Sequence, residues 1–170
     1  MVKPLSPLKP TNMILSPEIW TLLSAALPLT ELRGSIPFGV SVLHLSPWSA
    51  FFYSIVGNSL PVPIIFYLLP KVLVWLEKRI PWLHKHLTLS LEKKRAKFQD
   101  SYDKYGALAL AIFVAIPLPM TGAWTGAALA TILKIQPKYS FPAVIAGVVV
   151  AGIIVTLIVQ GALGFLGWMV

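Results

Sequence analysis

Residues Thr30–Gly39 read T-E-L-R-G-S-I-P-F-G. They set a carboxylate, Glu31, and a guanidinium, Arg33, into an otherwise greasy stretch of chain. Ile19–Leu29 carries no charge, and no Asp, Glu, Lys or Arg occurs from Gly34 to Pro70. Gly34, Pro37 and Gly39 follow directly, and such residues interrupt helices. Charges and a broken backbone are costly at membrane depth. They persist where they face a cavity or each other, which makes this stretch the first candidate functional site.

Composition supplies the membrane. Of 170 residues, 56% are hydrophobic and 12% are charged, with a mean hydropathy of +0.78. A soluble domain carries roughly 25% charge, so this chain has too little polar surface for water. Tyr105–Leu133 and Tyr139–Val170 contain no Asp, Glu, Lys or Arg, and each exceeds the ~20 residues of a transmembrane helix. With no cysteine, disulfides and thiolate chemistry are excluded. The net charge of +8 lies between apolar segments, so it reads as a topology signal and a contact for anionic headgroups, not as a nucleic-acid surface. Residues 1–15 read as a flexible tail. A cleaved signal peptide with Ile19–Leu29 as its apolar region fits less well, because cleavage near Ala25 and Ala26 would remove the support of the Glu31 stretch.

Ser16-Pro17-Glu18 starts a helix: Ser16 can cap, Pro17 suits the first position, and Glu18 favours the positive end of the dipole. That helix, to about Leu27, and a second apolar piece, Phe38–Leu45, are each too short to cross. The expectation over 16–45 is a re-entrant hairpin, interrupted at Gly34 and Pro37, which dips in and returns to the same face. Residues 48–69 are long enough for a transmembrane helix, with Asn58 at its middle. Residues 70–105 form a basic linker with nine Lys and Arg against four acids. Within it, Ser90 can cap an amphipathic helix stopping at Gly106, with Leu91, Phe98, Tyr102 and Tyr105 as its apolar stripe. Residues 106–133 repeat the hairpin pattern, broken at Pro117, Pro119, Gly122 and Gly126, and 139–160 form the second transmembrane helix. Ala143, Gly147 and Ala151, like Gly122, Gly126 and Ala130, recur every fourth residue and suit close helix packing.

The two greasy halves resemble each other. At an offset of 90 residues, Ser35, Ser41, Leu43, His44, Pro47, Phe51 and Gly57 meet Thr125, Thr131, Leu133, Lys134, Pro137, Phe141 and Gly147. At an offset of 89, Leu27-Pro28-Leu29 meets Ile116-Pro117-Leu118. One hairpin plus one crossing makes one net crossing, so the two repeats are expected to be inverted. The result is an all-α integral membrane protein with a transporter-like site at the paired breaks. The positive-inside rule puts the basic linker and the Lys134–Lys138 turn in the cytoplasm and both termini outside, in a multi-pass protein of the plasma membrane; a full crossing by Ile14–Leu29 would instead put the N-terminus inside.

Three motifs in order, E-L-R-G-S-I-P at Glu31–Pro37, G-N-S-L-P-V-P at Gly57–Pro63 and A-I-P-L-P-M-T-G-A-W-T-G at Ala115–Gly126, resemble the small multidrug export protein family. That family is distantly similar to the DedA-like (SNARE-associated, VTT) membrane proteins. The resemblance implies two inverted re-entrant hairpins meeting in the membrane. For the wider superfamily it implies transport of lipid-linked phosphates or lipid scrambling, often tied to proton-motive force. The chain departs from the DedA-like pattern in one respect: the second hairpin has no charge, and Glu31 and Arg33 share the first.

In the candidate site, burial disfavours the charged form of Glu31 while Arg33 favours it, a balance suited to proton coupling. The bland reading is a static ion pair, although residues two apart do not face each other on a regular helix. Arg33 has the planar fork that binds phosphate. Thr121 and Thr125 are expected to present hydroxyls opposite Arg33, beside backbone N–H groups that favour anions. Asn58 can line the same cavity or bond between helices, and Trp124 can stack on substrate or pack in the core. His44 reads as solvated or snorkelling near an interface. No residue set has metal spacing, no cofactor motif is present, and neither paired carboxylates nor a Ser–His–Asp set supports an enzyme.

The expected function is therefore translocation of an amphipathic anion, such as a polyprenyl-phosphate lipid carrier or a phospholipid, possible proton coupling resting on Glu31. Export of small cationic drugs with Glu31 as counter-charge is the alternative within transport, and a non-transporting membrane scaffold is the alternative outside it. The thin cavity argues for a homodimer or larger homo-oligomer, with the Gly and Ala rows as interfaces.

Overall fold

Proline placement starts most of the helices. In the computed structural model, which describes residues 15–79, 99–118 and 121–169, Pro17 opens α1 (Pro17–Ala26), Pro47 opens α3 (Pro47–Ser59), Pro61 opens α4 (Pro61–Arg79) and Pro137 opens α7 (Pro137–Met169). The first helical position needs no N–H, so proline costs nothing there. The remaining helices are α2 (Glu31–Ser41), α5 (Gln99–Ala115) and α6 (Ala123–Ile132). All regular structure among the described residues is helical.

Several boundaries differ from the sequence expectation. The first break falls at Leu27–Thr30, not at Gly34 and Pro37, which both lie inside α2. Pro37 sits seven residues into that helix and only withdraws the donor for the Arg33 carbonyl, which the surrounding packing tolerates. Gly126 likewise lies within α6, while Gly122 is its N-cap and Pro117 lies in the preceding turn. Gly106 does not stop a helix, since α5 runs through it to Ala115. The 48–69 crossing is interrupted at Leu60, giving α3 and α4. Pro119, Ser90, Leu91 and Phe98 lie outside the described residues.

Helices α1 and α2 are antiparallel, since Gly39 packs on Thr21 while the connection joins Ala26 to Glu31. Gly126 against Val114 and Gly106 against Ile135 make α5 and α6 antiparallel in the same way. At about 1.5 Å per residue, α1, α2 and α6 each reach only half of a ~30 Å hydrocarbon core. Among the described residues, the stretches Pro47–Trp75 and Pro137–Ala162 are the two long and apolar enough to cross. They too are antiparallel: Gly152 packs on Phe51 and Ile55, and the Phe66 and Phe141 rings lie 6.4 Å apart.

The packing follows the offsets seen in the sequence. Gly57 lies against the Leu22 carbonyl and Ala25, and Gly147 lies against the Ala111 carbonyl and Val114. His44 and Lys134 both adopt the left-handed conformation, with φ of 56° and 53°, in the turns that lead to Pro47 and Pro137. Gly126, Ala130, Gly147 and Ala151 are buried inside the chain, so these small-residue rows serve intrachain packing and are not left free for an oligomer.

The core is built from Ile36, Val62, Val114, Ala127, Val144 and Val148. Outside it, Trp20, Leu23, Phe52, Ile64, Ile153 and Leu157 are exposed. In the apolar 18-residue part of each crossing stretch only 28% and 39% of residues are buried, whereas a core helix of a soluble protein would be mostly buried. This apolar exterior suits lipid and makes the chain a membrane protein.

Candidate functional site

The two breaks meet. The chain leaves α1 at Leu27, and Thr30 folds back so that its hydroxyl donates to the Ser24 carbonyl. Glu31 then takes φ 44°, a left-handed conformation that costs a non-glycine residue about 1–3 kcal/mol. Its side chain is 6% exposed and lies against the other hairpin.

There the N-terminus of α6 has free N–H groups and a partial positive charge. Its N-cap residue, Gly122, has no side chain to satisfy them. The carboxylate of Glu31 does this from the neighbouring hairpin. A Cβ built on Gly122 would fall on it, and the backbone N–H of Trp124 favours its charged form. Glu31 therefore occupies the place that a cap side chain would take at the start of the helix.

Arg33 approaches the same turn from α2. Its Nη2 donates to Thr121 Oγ1 at 2.8 Å, while its buried Nε has no partner. The Thr121 hydroxyl lies 2.7 Å from the Ile116 carbonyl and 2.8 Å from that of Leu118, so it is fixed as an acceptor for Arg33. Trp124 closes the junction from the other direction, its Nε1 donating to the Ala26 carbonyl at 3.2 Å. Thr125 bonds within its own helix, while Arg33 bonds Thr121. The Thr125 hydroxyl donates to Gly122 O at 3.1 Å, because at this point of α6 a threonine reaches the carbonyl one turn back.

Below the junction, α2 and α3 form a polar seam of which the sequence reading named Asn58 but missed Ser35 and Ser54. The Ser35 hydroxyl donates to Ser54 Oγ at 2.7 Å, and both residues are fully buried. One turn further along α3, Asn58 is 0% exposed and neither side-chain polar atom has a partner. The four-residue spacing of Glu31 to Ser35, and of Ser54 to Asn58, was the available signal. His44 lies away from this seam and is exposed.

The family model described as "Putative small multi-drug export protein" matches residues 31–154. The chain belongs to this family. The match begins at Glu31 and takes in Arg33, Asn58, Thr121, Gly122 and Trp124, while Ser24, Ala26 and the Leu27–Thr30 break precede it. Comparison with curated proteins and with solved structures finds no match.

Proposed function

We propose that the chain is a transporter of amphipathic anions, a polyprenyl-phosphate carrier or a phospholipid, with Glu31 as its proton-linked group and Arg33 as its anion contact. One observation supports this reading: at the junction of the hairpins a carboxylate lies on the α6 N-terminus, and Arg33 reaches the turn that leads into the same helix. A helix N-terminus with a guanidinium beside it is suited to a phosphate or carboxylate group. Protonation of Glu31 would loosen its hold on that site, which links the site to a pH gradient.

The architecture we propose is two inverted repeats, each a re-entrant hairpin and a crossing helix. In its favour are the half-length antiparallel helices, the matched contacts of Gly57 and Gly147, and the opposite course of the two crossing stretches. Broken helices in corresponding positions of inverted halves mark transporter sites, and the resemblance to DedA-like proteins points to lipid-phosphate cargo. The proposed setting is the plasma membrane, with residues 70–105 cytoplasmic and a homo-oligomer using an apolar outer face.

The test is translocation in proteoliposomes, with polyprenyl phosphate, phospholipid and a cationic drug as separate cargoes, with and without a pH gradient. Anion movement should fall at least about tenfold, or 1.4 kcal/mol, in Arg33→Ala, and should lose its gradient dependence in Glu31→Gln. The family description favours drug export as the second reading. Movement of the cation alone, abolished in Glu31→Gln, would establish that instead. No movement of any cargo, with the variants lowering only protein abundance, would leave a scaffold.

A further inference from the structure

Glu31 fills a site that is not chemically its own. Most helix N-termini are capped by the residue that precedes them. Here that residue is Gly122, and the cap comes from 91 positions away in sequence. Such a cap is removable without unfolding α6, provided the carboxylate has somewhere else to go.

The helix register supplies that place. Gly39 packs on Ala50, and Ser35 bonds Ser54 one turn further on. Each pair advances four residues up α2 and four down α3 in antiparallel order. The next pair in this register is Glu31 with Asn58. Asn58 is fully buried, yet its amide N–H groups and its carbonyl oxygen have no partner. A buried amide left unpaired costs about 1–3 kcal/mol, so its place beside Glu31 in this register calls for a role. Its Nδ2 can donate to a carboxylate and its Oδ1 can accept from a carboxylic acid, so it can receive Glu31 in either protonation state.

We propose that Glu31 is a tethered occupant of an anion cradle formed by Gly122, the Trp124 N–H, Arg33 and Thr121, and that Asn58 receives its side chain when a phosphate or carboxylate ligand takes the cradle. The inference deepens the anion reading above and rests on it. The tethered carboxylate competes with ligand, so apparent affinity falls by the fraction of time the cradle is free. The displaced carboxylate stays buried and needs a donor, because an unpaired buried charge is strongly unfavourable.

The experiment is calorimetric titration of the full chain in neutral detergent with dodecyl phosphate, and separately with inorganic phosphate to distinguish a headgroup on a lipid from the free ion. Glu31→Gln should bind at least about tenfold tighter than the native chain, a 1.4 kcal/mol gain. Asn58→Leu should bind at least about tenfold more weakly. In the Glu31→Gln background, Asn58→Leu should have no effect, since no charge then needs a second position. If Asn58→Leu fails to accumulate, Asn58→Ser, too short to reach, takes its place. Equal weakening by the Asn58 variant in both backgrounds would mean that Asn58 only packs, and would overturn the proposal. Native and Glu31→Gln proteins binding alike would also overturn it, while leaving anion transport intact. Absence of binding by every variant, Glu31→Gln included, would overturn the anion reading and this inference together.

Discussion

Replacing Gly122 with alanine tests the junction with a single methyl group. Gly122 has φ −91° and ψ −162°, a backbone conformation open to alanine, so any cost comes from space and not from strain. The new Cβ falls on the Glu31 carboxylate. The carboxylate ends a flexible side chain and can swing away, so the backbone need not shift. What is lost is its attraction to the N–H groups at the start of α6, worth about 1.5–3 kcal/mol where a charge meets such a donor. The helix-dipole attraction, at most ~2 kcal/mol in a partly buried setting, acts through the same contact. Gly122→Ala should therefore destabilise by about 2 kcal/mol. Glu31→Ala removes the cap and the buried charge together, and should cost about 1 kcal/mol, the usual loss of a cap. The double variant should cost no more than Glu31→Ala alone, because no carboxylate remains for the methyl to displace. The coupling is then about 2 kcal/mol, within the range for residues in contact. Equilibrium unfolding in mixed micelles, followed by tryptophan fluorescence, reads all four proteins. Simple additivity, or a Gly122→Ala protein as stable as the native chain, would refute the cap.

The two threonines of the second hairpin should part company. Thr121→Val removes the acceptor of Arg33 and should destabilise by about 1.5–3 kcal/mol, whereas Thr125→Val loses a bond within its own turn and should cost under ~1 kcal/mol; equal melting shifts would contradict this. Gly57→Ala and Gly147→Ala each drive a methyl toward a helix carbonyl and should lower membrane abundance by at least ~1–3 kcal/mol of overpacking. Gly161→Ala and Gly164→Ala, which meet nothing within 4 Å, should be neutral or slightly stabilising on the same immunoblot. Ser35→Ala and Ser54→Ala should each cost about 1–3 kcal/mol by stranding a buried hydroxyl, and the double variant less than their sum; additive melting shifts would mean that the pair does not form. Because the chain has no cysteine, single cysteines at positions 85 and 134 can be labelled cleanly, and both should react only from the cytoplasmic side.

The membrane class, the helix start at Pro17 and the setting of Glu31 and Arg33 in an apolar run could be read from residue order, because each depends on local chemistry: too few charges for water, a ring that suits the first helical turn, ions without polar neighbours. The offset of 90 residues could also be read, and along it Pro47 and Pro137 each open a helix and Gly57 and Gly147 each meet a helix carbonyl. Tertiary structure decided the rest. Gly34 and Pro37 are breakers by propensity, yet α2 runs through them because its buried face, Leu32 and Ile36 included, is held by packing that outweighs about 1 kcal/mol for glycine and ~3 kcal/mol for proline. Thr125 and Thr121 look alike in sequence, and only the position of the helix start separates the one that bonds its own turn from the one that meets Arg33. That Glu31 caps a helix on the far side of the chain rests on a contact between residues 31 and 122. No local rule encodes such a contact, since it exists only when two half-length hairpins are brought end to end.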